Sequence, residues 1–307
     1  MKQLILSITL MFIVFCGFGQ QNTQFTQWVW NPLSYNPALS GIKSYSEFKT
    51  MSRLQWIGFQ GAPTSNSITY TAQLPTKRKE YFAPRHGIGA KFENDYIGPF
   101  STLQFALNYA IHFNYTEETR LSIGLSGGAR QFAFDNTNMT AFTPDPAVNK
   151  GKTVYSPTAN LGFWWNGKNY YVGLSLDQLT NSSWSSIGLE SKFRTHFLLS
   201  SGIKWTQGAY SFIPNVLIKK TIGSPIAFDL TSYLDYKNQF KFGIGLRNKE
   251  AFLALFQIRI KDQFAIGYSI DYITNGLNTN ALFSHEISLH YSSFQTKDTD
   301  KLSCPLF

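Results

Sequence analysis

The stretch Thr102–Tyr115, TLQFALNYAIHFNY, decides the fold. Leu103, Phe105, Leu107, Tyr109, Ile111, Phe113 and Tyr115 alternate with Thr102, Gln104, Ala106, Asn108, Ala110, His112 and Asn114. Side chains two apart share a face of a strand, whereas a helix repeats every ~3.6 residues, so the pattern predicts a strand with one bulky apolar face. Phe240, Phe242, Ile244 and Leu246 repeat the pattern around Lys241, Gly243 and Gly245. So do Phe264, Ile266, Tyr268, Ile270 and Tyr272 around Ala265, Gly267, Ser269 and Asp271.

A soluble sandwich turns its bulky face inward and carries charge outside. Here the second face is mostly Gly, Ser, Ala, Thr and Asn, which suits the lumen of a barrel whose bulky face meets lipid. Segments of this kind run near 44–56, 64–74, 86–96, 101–115, 119–134, 155–166, 168–179, 192–206, 208–219, 225–236, 239–248, 251–261, 263–273 and 280–294. The expected fold class is all-β: a transmembrane antiparallel β-barrel of about 14 strands, an even count as in bacterial single-chain barrels. Sharp turns at 166–168, 206–208, 236–239 and 261–263 alternate with long connections at 135–154 and 180–191. That polarity puts the turns in the periplasm and the long loops outside the cell. Pro75–Arg85 is long for a periplasmic turn.

Composition agrees. The 307 residues include 27 Phe, 16 Tyr and 7 Trp, with only 15% charged residues. After residue 19 no apolar run approaches the ~20 residues of a membrane helix. Met1-Lys2, the apolar run Leu4 to Phe15 and Gly17-Phe18-Gly19 read as a signal peptide over 1–19. Its removal takes Cys16 and leaves Cys304, which excludes an intramolecular disulfide and a disulfide scaffold. The expected organisation is a signal peptide (1–19), an Asn-Pro entry segment (20–43), a barrel (44–294) and a periplasmic tail (295–307), with both termini periplasmic. The net charge of +9 is spread along the chain without a basic stripe, which argues against nucleic acid and fits rims facing anionic lipid.

Motifs with catalytic spelling fail on context. Gly124-Leu125-Ser126-Gly127-Gly128 spells a nucleophile elbow, but that motif needs a strand, a sharp turn and a helix, and this one lies within an alternating strand. His285 and His290 are five apart in a strand, on opposite faces, so no zinc pair is expected. No cofactor or metal is expected. Asp229, Asp235 and Asp271, with Lys204 and His112, fall on inward faces and read as a polar lumen network. Trp28, Trp30, Trp56, Trp164, Trp165, Trp184 and Trp205 read as interfacial girdles.

Asn31-Pro32-Leu33-Ser34-Tyr35-Asn36-Pro37-Ala38, then Gly41, precede Arg53-Leu54-Gln55-Trp56-Ile57-Gly58 and Gly61-Ala62-Pro63. With Gly87-Ile88-Gly89-Ala90, Asp145-Pro146-Ala147, Gly267–Tyr272, Ser284–Ile287 and the terminal Cys304-Pro305-Leu306-Phe307, the mature chain resembles the PorP/SprF family of type IX secretion proteins. The resemblance implies a non-enzymatic outer-membrane barrel of the secretion and gliding machinery. Its implied partners are exported adhesin-like proteins or other secretion-system components. Proline fixes φ and biases the preceding Asn away from helix, so the segment is expected to be stiff and extended, in the lumen or at the periplasmic rim. Asn31, Pro32, Asn36 and Pro37, and Arg53, Gln55, Trp56, Gly58, Gly61 and Pro63 near the first loop, are the expected partner surface. The alternative is a diffusion channel or a transporter of small or hydrophobic solutes.

Overall fold

The alternating segments pair in chain order and close on themselves. The computed structural model describes residues 23–75, 82–135, 152–183, 192–261, 263–279 and 281–293. Its strands are β1 (Glu47–Leu54), β2 (Thr64–Gln73), β3 (Arg85–Ile97), β4 (Phe100–Asn114), β5 (Thr119–Phe134), β6 (Lys152–Gly167), β7 (Tyr170–Asp177) and β8 (His196–Ile203). There follow β9 (Trp205–Gln207), β10 (Tyr210–Thr221), β11 (Ala227–Tyr236), β12 (Phe240–Arg247), β13 (Ala251–Ile260), β14 (Phe264–Ile273) and β15 (Phe283–Ser292). The first and last strands pair antiparallel, Glu47 opposite Ser292, so the sheet has no edge.

β8 and β9 are one strand with a break. Both lie on β10 in a single register, Gly202 opposite Asn215 and Gln207 opposite Tyr210. That register sets Pro214 against Ile203 at the break, where proline has no N–H for the ladder. The fifteen segments therefore make a closed antiparallel barrel of fourteen staves. The largest disagreement with the expected ranges is four residues, His196 against residue 192.

Face by face the alternation holds. Leu107 is 59% exposed while its neighbour Ala106 is fully buried. The outer surface carries Phe105, Leu125, Phe242, Ile244 and Ile287. Such a surface is stable against hydrocarbon, and closure leaves the wall without an open strand edge there.

One end of the barrel, here the turn end, is closed by tight connections at 168–169, 208–209 and 237–239, where Gly208, Lys237 and Asn238 have φ of 58°, 51° and 56°. The other, the loop end, carries 55–63, 178–183, 192–195, 222–226 and 274–279. Residues 1–22, 76–81, 136–151, 184–191, 262, 280 and 294–307 lie outside the described residues. With them lie the expected signal peptide, most of the Pro75–Arg85 and 135–154 connections, Trp184, and the expected tail with Cys304.

Candidate functional site: a plugged lumen and its loop-end cavity

The Asn-Pro segment is not extended. It folds into three short 3-10 turns, Thr26–Val29, Pro32–Ser34 and Pro37–Leu39. Each Asn-Pro pair starts a turn instead of a strand. The Asn keeps non-helical backbone, and Pro at the first helical position needs no N–H there. Asn36 Oδ1 accepts from Ala38 N at 3.0 Å, an N-cap. Residues 25–42 are buried apart from a half-buried Tyr35, so the segment is a plug inside the barrel.

Two kinds of wall receive it. Where β3 and β5 carry inward glycines, the plug backbone lies directly on the sheet. A Cβ on Gly87 would stand 1.9 Å from Ser40 O, and one on Gly124 2.3 Å from Ala38 N. On the opposite side the lumen is apolar. Leu198, Ile213, Leu217, Tyr233, Leu253 and Leu255 face inward and pack against Trp28, Val29 and Trp30. The Trp30 ring meets Tyr233 edge-on at 6.2 Å. The expected small and polar inner face is thus broken by an apolar patch, which matches the plug's aromatics.

Charge closes the loop-end side of the plug. Glu286 accepts from Thr26 N at 2.7 Å and from Gln27 N at 2.9 Å. Thr26 Oγ1 donates to Asp271. Asp271 also receives Arg53 Nη2 at 2.6 Å and Arg247 Nη1 at 3.2 Å. Asp229 joins through Arg247 Nε at 3.4 Å and Lys219 Nζ at 3.0 Å. Arg53, Arg247 and Lys219 thus meet Asp229, Asp271 and Glu286 in a buried cluster of paired charges, with the less buried Glu250 3.7 Å from Arg247 at its margin.

At the turn end Lys43, in the chain before β1, lies 2.7 Å from Glu47, and Lys49 is 3.3 Å away on the same carboxylate. Burial works against the Lys43 ammonium, but Glu47 more than offsets it and holds its pKa above the usual lysine value.

The expected lumen residues divide. Asp229 and Asp271 enter the ionic cluster. His112 bridges wall and plug, with Nε2 2.9 Å from Ser40 O and Nδ1 2.7 Å from Ser122 Oγ. Asp235 belongs to the turn end, 3.9 Å from Lys241. Lys204 is half-buried at the break between β8 and β9.

The expected partner surface divides too. Asn31, Pro32, Asn36 and Pro37 are buried in the lumen, and Arg53 is 1% exposed within the ionic cluster. Four of them pack the plug, and Arg53 packs against it from β1. Pro63 is buried, Gln55 and Trp56 are half-buried, and Gly58 and Gly61 are exposed at the loop end. Trp56, Gly58 and Gly61 have φ of 47°, 99° and 75°, which shape that loop.

Three tryptophans depart from the girdle. Trp28 and Trp30 belong to the plug, and Trp164 faces the lumen, stacked on Tyr171 at 4.6 Å. Trp165 and Trp205 stay outside. Sequence reasoning missed Arg247, Glu286 and Lys219, although strand parity marks all three. Arg247 continues Lys241, Gly243 and Gly245 on the inward face, and Glu286 lies between inward Ser284 and Ser288.

The described ends of the chain lie at opposite ends of the barrel. Gln24 Oε1 accepts from Lys219 Nζ at 3.3 Å near the loop end, whereas Ser293 N bonds Ser46 O at the turn end. The plug starts high in the lumen and descends before the chain enters β1. Among the described residues no group of three or more His, Cys, Asp or Glu could hold a metal ion.

The chain is similar to several membrane barrels. One is the CymD monoaromatic hydrocarbon channel, with 9% identity, 92% of this chain and 96% of that one covered, and a TM-score of 0.49. A second is the toluene transporter TodX of P. putida, with 8% identity, coverage of 84% and 91%, and a TM-score of 0.43. A third is the β-domain of the Bordetella autotransporter BrkA, with 12% identity, coverage of 81% and 99%, and a TM-score of 0.35. The comparison with curated proteins yields no match. The family described as type IX secretion system membrane protein PorP/SprF matches residues 17–291. A closed barrel with an apolar exterior and this family match together imply the outer membrane. With nearly the whole barrel and its plug inside that match, the chain belongs to the PorP/SprF family of type IX secretion system membrane proteins.

Proposed function

We propose that this barrel is a non-enzymatic docking or anchoring component, holding an exported, adhesin-like partner at the cell surface or the translocon mouth. The observation that carries the reading is the plug. Inward glycines, an apolar patch and a buried ionic cluster all meet residues 25–42, so the lumen is shaped to its own N-terminal segment. A filled lumen leaves the loop end as the surface for work, and rigid loops on a barrel are suited to binding. In this reading the loop end is extracellular, the turn end periplasmic, and residues 1–19 are removed on export. Gliding is one process such an anchor would serve. The channel alternative needs a continuous path, which the plug opposes.

The test is photo-crosslinking in cells. A benzophenone amino acid is introduced at Phe59 or Ile222 at the loop end and at Tyr115 at the turn end. An adduct with one exported protein from the loop-end positions alone supports docking. Adducts from Tyr115 alone would make the protein a periplasm-facing part of the machinery, and no adduct from any position would remove the reading.

A further inference from the structure

The loop-end cavity, of about 410 Å³, is lined by charges that meet one another, Lys91 with Glu93 and Lys219 with Asp229. A smaller hollow at the turn end, of about 20 Å³, is of a different kind. It lies between Trp30 of the plug and strands β1 and β12–β15. Its charged lining is Lys43, Lys49, Lys241 and Arg259 with one carboxylate, Glu47, and His290 stands beside them. Lys43 and Lys49 share Glu47 at 2.7 and 3.3 Å, and Lys241 lies 3.9 Å from Asp235. One carboxylate thus serves two ammonium groups, and Arg259, which has contacts of its own, brings a further cation.

Two donors on this lining have nothing to donate to. Trp30 is 3% exposed, and its buried Nε1–H has no hydrogen-bond partner among the described residues. The same holds for His290 Nε2. His290 Nδ1 lies 3.3 Å from Gln257 Nε2, an amide N–H, so in the neutral ring Nδ1 accepts and the proton sits on Nε2. Indole, ammonium and guanidinium groups only donate. Buried polar groups in folded proteins have partners, and an orphaned one points to a bound ion or water. From this surplus of donors beside surplus positive charge we propose that the hollow is a binding site for a monatomic anion such as chloride.

A halide suits the hollow better than water does. Water brings two hydrogens that need acceptors, and Glu47 is already held by two lysines. A halide only accepts. One water-sized particle needs about 10–15 Å³ of such space, so a monatomic ion enters whole and a large organic anion does not. Seated there, it would tie Trp30 of the plug to Lys49 on β1 and His290 on β15, the two strands that close the barrel. By binding the plugged state it would stabilise that state through mass action. The site stands independently of the docking reading.

The experiment is urea unfolding of the full-length barrel in detergent micelles, followed by tryptophan fluorescence, with gluconate exchanged for chloride at constant ionic strength. The midpoint is expected to rise with chloride and to saturate. Lys49→Met leaves Lys43 to pair with Glu47 and removes one cation from the hollow. Its apparent chloride affinity is expected to fall about tenfold or more, as for the loss of one hydrogen bond to a charged group. Equal midpoints in chloride and gluconate would overturn the proposal, and so would a chloride dependence that Lys49→Met leaves unchanged. Barrel assembly of the variant is read from heat-modifiable migration in detergent gels. If Lys49→Met does not assemble, Trp30→Phe decides, because it keeps an aromatic ring and removes the N–H. Several-fold weaker chloride dependence is then expected, and an unchanged one overturns the site.

Discussion

Arg53 Nη2 lies 2.6 Å from Asp271 Oδ2, although the two residues are 218 positions apart in the chain. One stands on β1 and the other on β14, with β15 between them in the wall. Closure of the barrel brings them together, and Thr26 of the plug completes the contact. The pair therefore reports on barrel and plug at once.

Removing one partner strands a buried charge. Asp271→Ala should cost roughly 3–5 kcal/mol, because Arg53 and Arg247 would both lose a carboxylate. Urea unfolding in detergent or lipid measures it. The double change Arg53→Met, Asp271→Leu should recover much of that loss, and a double variant as unstable as the single one would contradict the argument.

Glycine at 87 is required by close approach. Gly87→Ala places a methyl group 1.9 Å from Ser40 O, so the plug backbone has to move. Overpacking of this kind costs typically ~1–3 kcal/mol. The expected readout is faster protease cleavage within residues 23–42, with strand content by circular dichroism unchanged. Equal cleavage rates would mean that the plug is not seated against β3.

Trp30 anchors the plug to the apolar side of the lumen, 3% exposed among Leu198, Leu217 and Leu253. Trp30→Ala should destabilise by about 3–5 kcal/mol if the plug and barrel unfold together. Fluorescence-detected unfolding separates the cases. A smaller loss, with the main transition unmoved, would show a plug that detaches before the wall melts.

Conductance tests the filled lumen. The intact protein in a planar bilayer should be closed to ions, and deletion of residues 23–42 should give steady openings. Steady openings of the intact protein would favour the channel alternative.

Much of the wall was legible along the chain. The alternation in β4, β12 and β14 located those strands and assigned each side chain to a face, and the ranges needed only small corrections. The lumen was legible in part. Asp229 and Asp271 were found by their inward parity, and the same parity marked Arg247 and Glu286, which went unread. The plug was read wrongly in shape. Asn-Pro fixes one φ and starts a turn, but it does not say whether the chain then extends or coils. The matching surface on β3, β5, β8, β10 and β13 decides that.

Strand position, facing and the apolar exterior were determined by the sequence alone, because side-chain alternation is a property of neighbours in the chain and lipid rewards it stave by stave. The tertiary structure alone decided what fills the barrel. The partners of Arg53, the glycine bed under Ser40 and the apolar patch under Trp30 come from distant strands. They become a site only when the fourteen staves close around residues 25–42.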